Sequence, residues 1–237
     1  AVVGRVFWPS AVGVDEELVA GLTGTGLVSL QPVSVMAGLQ EFSFKHALTR
    51  DVAYGSLARP ERRELHLQVA DWIQNVAPGR DVETAELASY HYREAIGYGE
   101  DDPGILGQAY AVLMTAGERA TRRAALGAAL EHLEAAYDLA TTADEKGAAL
   151  ALAETSLHMG RLDETLQWLD KADALEGLDD RLRSAALGWR SRVSWLTGRW
   201  QEALQASNGA VDALEGLPES VQLARALARR SQLEMLR

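Results

Sequence analysis

LAETSLHMGRLDETLQWLDKADAL, from Leu152 to Leu175, and WRSRVSWLTGRWQEALQASNGAVDAL, from Trp189 to Leu214, are two copies of one pattern. Gly160 aligns with Gly198, Leu162 with Trp200, Leu166 with Leu204 and Ala172 with Ala210, at an interval of 38 residues. A looser copy, VLMTAGERATRRAALGAALEHLEAAYDL, from Val112 to Leu139, places Ala129 and Ala136 at the equivalent small positions. Apolar residues recur at helical spacing on both sides of a Gly-Arg turn, so each copy predicts a helix pair. Small residues let the paired helices approach closely, and the turn reverses the chain between them. An internal repeat of this length decides the fold of the segment that carries it.

The pattern resembles the tetratricopeptide repeat, whose 34-residue unit has small, aromatic and alanine positions in this order. The resemblance covers Ile105 to the C-terminus, and its sharpest motif is G-R-[LW]-x-E-[TA]-L. It implies an α-solenoid of helix pairs over residues 105–237, with helices or connections a few residues longer than usual.

Before the repeats the sequence is of two kinds. Up to Pro60 the pattern is mixed. Asp15-Glu16-Glu17 puts acids at the start of ELVAGLTGTGL, where a helix N-terminus favours negative charge, and Gly21, Gly24 and Gly26 end that helix. LVSLQPVS reads as a short strand interrupted by Pro32, VMAGLQ as a turn, EFSFK as a second strand and HALTRDVAYGSL as a helix. Helices with a two-stranded hairpin describe a small winged-helix module over residues 1–60. From Glu61 the strand signals stop. ERRELHLQVADWIQNVA carries Leu65, Val69, Trp72 and Ile73 on one helical face before Pro78-Gly79, and ETAELASYHYREAI continues as helix before a turn-rich GYGEDDPG. Residues 61–104 therefore read as connecting helices, and the fold class as mainly α.

Composition limits the chemistry. The 237 residues are 47% hydrophobic, enough for one large core or two modest ones. The absence of cysteine excludes disulfides and thiolate metal sites and suits a reducing compartment. No apolar run approaches the roughly 20 residues of a membrane span, and no signal segment opens the chain, so a cytoplasmic location without membrane contact is expected. The net charge of −11 repels polyanions at long range. Only Lys45, Lys146 and Lys171 are lysines among 23 basic residues, a bias expected of a GC-rich genome. The chain begins AVVGRVFWPS and stops within helical sequence, and is expected to be a piece of a longer protein.

Catalytic signatures are missing. No lysine follows a glycine, so there is no phosphate-cradling P-loop. His46, His66, His91, His132 and His158 show no metal-ligand spacing, and no G-x-S-x-G elbow occurs. Tyr90-His91-Tyr92 reads as aromatic packing between helices. The expectation is a chain that is not an enzyme, with no catalytic residues, no metal and no cofactor of its own.

EFSFKHALTRDVAYGSLARPERRELHLQVADWI, from Glu41 to Ile73, resembles the segment that follows the nucleotide-binding core in bacterial signal-transduction NTPases of the STAND class, among them large LuxR-type transcriptional regulators and class III nucleotidyl cyclases. The family phrase is close to F-R-H-A-L-[IV]-R-D-V-A-Y, from which Lys45 and Thr49 depart. AVVGRVFW and AELASYHYREA also fit, so the resemblance spans the chain. The phrase is similar, too, to the M-H-D motif of NOD-like receptors, where the histidine reaches the β-phosphate of ADP. The resemblance implies an upstream nucleotide-binding domain that uses ATP and ADP, an effector that is a helix-turn-helix or a cyclase, and a nucleotide-sensing role for His46. Ala47 stands where the receptors have the motif's aspartate, so the aspartate's role does not transfer, while that of His46 does. Arg50 and Asp51 match the Arg-Asp that follows and would brace the helix or the domain junction.

The repeats supply a second set of candidates, for a protein or small effector on the concave face. One inner face carries Leu150, Glu154, Leu157 and His158. The next carries Gly188, Arg192, Trp195 and Leu196, and the loose copy adds Met114, Glu118 and Arg122. A Trp beside an Arg is the composition of a binding hot spot. If Trp195 instead packs into the core, that groove loses its anchor. Two other functions compete: a stand-alone repeat scaffold, and a DNA-binding winged helix using Lys45, Arg50, Arg59, Arg62 and Arg63, whose charge Asp51, Glu61 and Glu64 interrupt.

Overall fold

The computed structural model describes residues 1–36, 38–76, 81–141, 144–175 and 179–236, with the side chains of 81–83 left aside. The chain is mainly helical and divides into two compact units, Ala1–Ala116 and Gly117–Arg237. Among the described residues no helix is long and apolar enough to cross a membrane.

The first unit is built around a small antiparallel sheet. Strand β1 is Val6–Phe7, β2 is Val28–Leu30 and β3 is Phe42–Phe44, in the order β1-β3-β2. The register sets Phe7 opposite Phe42 and Val28 opposite Phe44. Alternation along β3 turns Phe42 fully into the core while Ser43 meets Ser29 and Gln31 on the other face. The sequence suggests a two-stranded hairpin; the third strand is only two residues long, too short to show a period. Helix α1, Glu16–Thr23, starts where the Asp15 carboxylate accepts the Glu17 N–H, as the acidic run predicts. Helix α2, Ala47–Gly55, follows β3, and α3, Arg59–Val76, and α4, Asp81–Gly97, pack on each other. Pro78-Gly79, expected to stop α3, lies outside the described residues.

One apolar core serves all of these. Val3, Phe7, Val28 and Phe42 meet Val69 and Ile73 of α3 and Ala88 of α4, and Trp8 stacks on Trp72 at 5.7 Å. The core thus runs straight through the boundary expected at residue 60, because α3 supplies the apolar face that the three short strands need to cover. Helix α2 contributes little. None of its residues is buried, and its apolar Leu48 and Val52 are 73% and 65% exposed.

Helix α5, Pro103–Arg122, runs from the first unit into the second, which continues with α6 Leu126–Leu139, α7 Glu145–His158, α8 Leu162–Ala174, α9 Asp180–Leu196, α10 Trp200–Asp212 and α11 Val221–Met235. The repeat turns share one geometry. Gly160 and Gly198 have φ of 74° and 75°, each N–H donating three residues back, while Arg161 and Arg199 donate five back. Ala124 does the same with φ 57° and no glycine. The Arg of the motif then pairs with the Glu three residues on, Arg161 with Glu164 at 3.3 Å and Arg199 with Glu202 at 3.1 Å. Five residues past each turn sit Ala129, Thr165 and Ala203, and twelve past sit Ala136, Ala172 and Ala210, all buried. Nine past come Leu133, Leu169 and Ser207. The last breaks the pattern: a buried serine stands where the other pairs put a buried leucine.

Candidate functional site

That serine lies in the wall of a cavity of about 650 Å³ within the second unit, bounded by the end of α5 and by α7, α9, α10 and α11. Its size falls in the ~300–1,000 Å³ range of small-molecule sites. Small residues line much of it, among them Ser207, Gly188 in mid-helix and Ala151 on α7. Leu150 and Trp189 form apolar wall, and Glu118, Arg122, Glu154, Arg225 and Arg229 supply charge.

The charges are unevenly satisfied. Arg122 pairs with Glu118 at 3.8 Å and His158 with Glu154 at 4.0 Å, each one helical turn apart. Burial raises the Glu154 pKa, with Glu118 adding to the rise and His158, Arg225 and Arg122 opposing it. Arg229 donates to the Gly188 carbonyl and lies over the Trp189 ring at 5.4 Å, and burial lowers its pKa with help from Arg192. A Cβ on Gly188 would come within 2.9 Å of the Arg229 guanidinium, so the missing side chain is what admits it. The Ser207 hydroxyl is buried and has no hydrogen-bond partner.

Of the residues chosen for the concave face, Glu118, Arg122 and Glu154 line this cavity. His158 stands beside it, exposed, edge-on to Trp189 at 6.4 Å. Arg192 and Trp195 do not join them. They line a separate crevice of about 20 Å³ with Arg229, Gln232 and Leu236. Trp195 is half-buried and stays reachable by solvent in that crevice, which shares Arg229 with the cavity, while the tryptophan on the cavity itself is Trp189. Six residues on a helix turn Trp195 about 120° away from Trp189. The break at Ser207 and the Gly188-Trp189 pair were the available sequence signals.

In the first unit His46 is the N-cap residue of α2 by backbone position, but its side chain makes no capping bond and is exposed. Arg50 donates through Nε to the Ala1 carbonyl at 3.1 Å, pairs with Asp51 at 3.1 Å and covers the Tyr54 ring. The basic residues weighed for DNA are largely engaged. Arg59 and Arg62 donate to backbone carbonyls and lie over Tyr98, and Arg63 donates to Gly99.

Sequence reasoning missed a buried polar chain. Tyr54 Oη lies 3.0 Å from Tyr98 Oη and 2.9 Å from His66 Nε2, and His66 Nδ1 lies 2.9 Å from His91 Nδ1. Both histidines are fully buried. Burial pushes His66 down to about 4, with Arg50 and Arg62 adding to it, and His91 down to about 3. Both rings are thus neutral, which lets one Nδ1–H donate to the bare Nδ1 of the other. Among the described residues no cluster of three or more metal-ligating side chains occurs. No protein-family model matches the chain, and no curated protein matches it.

Proposed function

We propose that the chain is the non-catalytic sensor region of a multidomain signal-transduction NTPase, its repeat arm receiving a ligand or protein and its winged-helix part reading nucleotide state. The observation that carries the reading is the cavity: helix pairs built to one rule break that rule at Ser207, and the break opens onto a wall of convergent charged and aromatic side chains. The resemblance of Phe44–Tyr54 to the STAND phrase, with an unpartnered His46 at the start of α2, supports the nucleotide half. A helix start with a ring N–H beside free backbone amides suits a phosphate oxygen. The repeats then form a solenoid whose concave side carries the input site, and ATP or ADP belongs to the upstream domain. Ala185 is exposed on the cavity wall, so Ala185→Trp plugs the site without disturbing the core. In the intact regulator that variant keeps its nucleotide affinity and loses its response to the inducing signal. A normal response from Ala185→Trp overturns the assignment of the cavity as the input site.

A further inference from the structure

We infer that the cavity takes a small organic monoanion, a carboxylate on an apolar or aromatic body, held by Arg225 and Arg229 of α11. The inference rests on the reading of the cavity as a binding site.

Charge decides the sign of the ligand. In a chain of net charge −11, the cavity gathers three arginines against two glutamates. Glu118 already has a cationic partner on its own helix, Arg122, and Glu154 faces the His158 ring at 4.0 Å. Arg225 makes no hydrogen bond or ion pair among the described residues and acts on Glu154 only through space. Arg229 is bound to a carbonyl and a ring, not to a carboxylate. A guanidinium presents five N–H donors in a planar fork that fits a carboxylate in two-point contact. Two such forks, one turn apart on α11 and lacking an acid, are unspent recognition capacity.

The rest of the wall shapes the ligand. Trp189 and Leu150 offer a flat apolar surface for its body. The Ser207 hydroxyl lies buried behind the same wall and has no hydrogen-bond partner. Ser184, whose hydroxyl donates to the Ala210 carbonyl, keeps lone pairs to spare. Glu118 and Glu154 set an upper limit, because a dianion would meet both. Helix α11 has no buried residue, so neutralising its two arginines against the cavity wall would tighten it.

Calorimetric titration of the chain with indole-3-acetate, indole-3-acetamide, tryptamine, hexanoate and inorganic phosphate tests this. Indole-3-acetate should bind at least roughly tenfold more tightly than its amide and should slow hydrogen exchange in α11. Arg225→Gln with Arg229→Gln should cost roughly ten- to a hundred-fold, the scale of charge-assisted hydrogen bonds. Amide or tryptamine binding as tight as the acid, abolished by Ala185→Trp, overturns the anion while leaving the cavity in place. Phosphate binding as tight as indole-3-acetate overturns the apolar body. Binding indifferent to Ala185→Trp overturns both the ligand and the cavity, and flat titrations with both carboxylates overturn the ligand.

Discussion

Ala124 holds a conformation that its two counterparts give to glycine. At φ 57° its Cβ crowds the following carbonyl, a cost of about 1 kcal/mol that Gly160 and Gly198 avoid. Ala124→Gly should therefore stabilise the second unit by about 0.5–1 kcal/mol, and Gly160→Ala or Gly198→Ala should destabilise it by a similar amount. Urea midpoints at constant slope measure both, and a loss of stability in Ala124→Gly would show that the turn is held by something other than its backbone. His46 poses the opposite problem, a side chain with no structural employment at the start of α2. Replacing it should leave the fold untouched. If the proposed nucleotide-sensing role holds, His46→Ala in the full-length protein should weaken ADP retention by roughly ten- to a hundred-fold, the worth of one charge-assisted hydrogen bond. Unchanged ADP affinity would remove the sensing role.

Two of the three glycines in helix α5, Gly107 and Gly117, obey different rules. A Cβ on Gly107 meets nothing within 4 Å, whereas a Cβ on Gly117 would fall 2.5 Å from Cγ of Leu133, which is itself fully buried on α6. Gly107→Ala should gain up to about 1 kcal/mol of helix propensity. Gly117→Ala gains the same propensity but overpacks the α5–α6 seam, typically a cost of 1–3 kcal/mol, so it should be neutral at best and destabilising in the usual case. Thermal unfolding of the two variants should separate them in sign, and equal stabilisation would mean that α6 can withdraw. The same seam explains what could be read beforehand. The Gly-Arg turns and buried alanines recur along the chain and announce helix pairs, as Asp15 announces α1. Strand β1 is too short to have a period. The Trp189 cavity depends on which face of α9 meets α7 and α11, and the break at Ser207 looks like one more small residue until Leu133 and Leu169 are aligned with it. The His66–His91 contact joins residues 25 apart whose proximity only the packing of α3 on α4 creates.

The two compact units should differ in their sensitivity to acid. In the first, His66 and His91 are neutral in the folded state down to about pH 4 and 3, while the same side chains in an unfolded chain titrate near 6.5. Between those values the unfolded state binds more protons, so stability falls as pH falls through 6.5. At pH 5 each histidine contributes up to about 2 kcal/mol to that loss. In the second unit, burial raises the Glu154 pKa, so the folded state takes up its proton first and acidification favours folding at that residue. Hydrogen exchange corrected for intrinsic rates should therefore show protection in α3 and α4 dropping between pH 7 and pH 5 while α7 to α10 hold theirs. His66→Gln with His91→Gln keeps polar side chains but removes the titration, and should flatten the profile of the first unit even if it lowers stability at every pH. A parallel loss of protection in both units, or an unaltered slope in the double variant, would move the origin of acid sensitivity away from this buried pair.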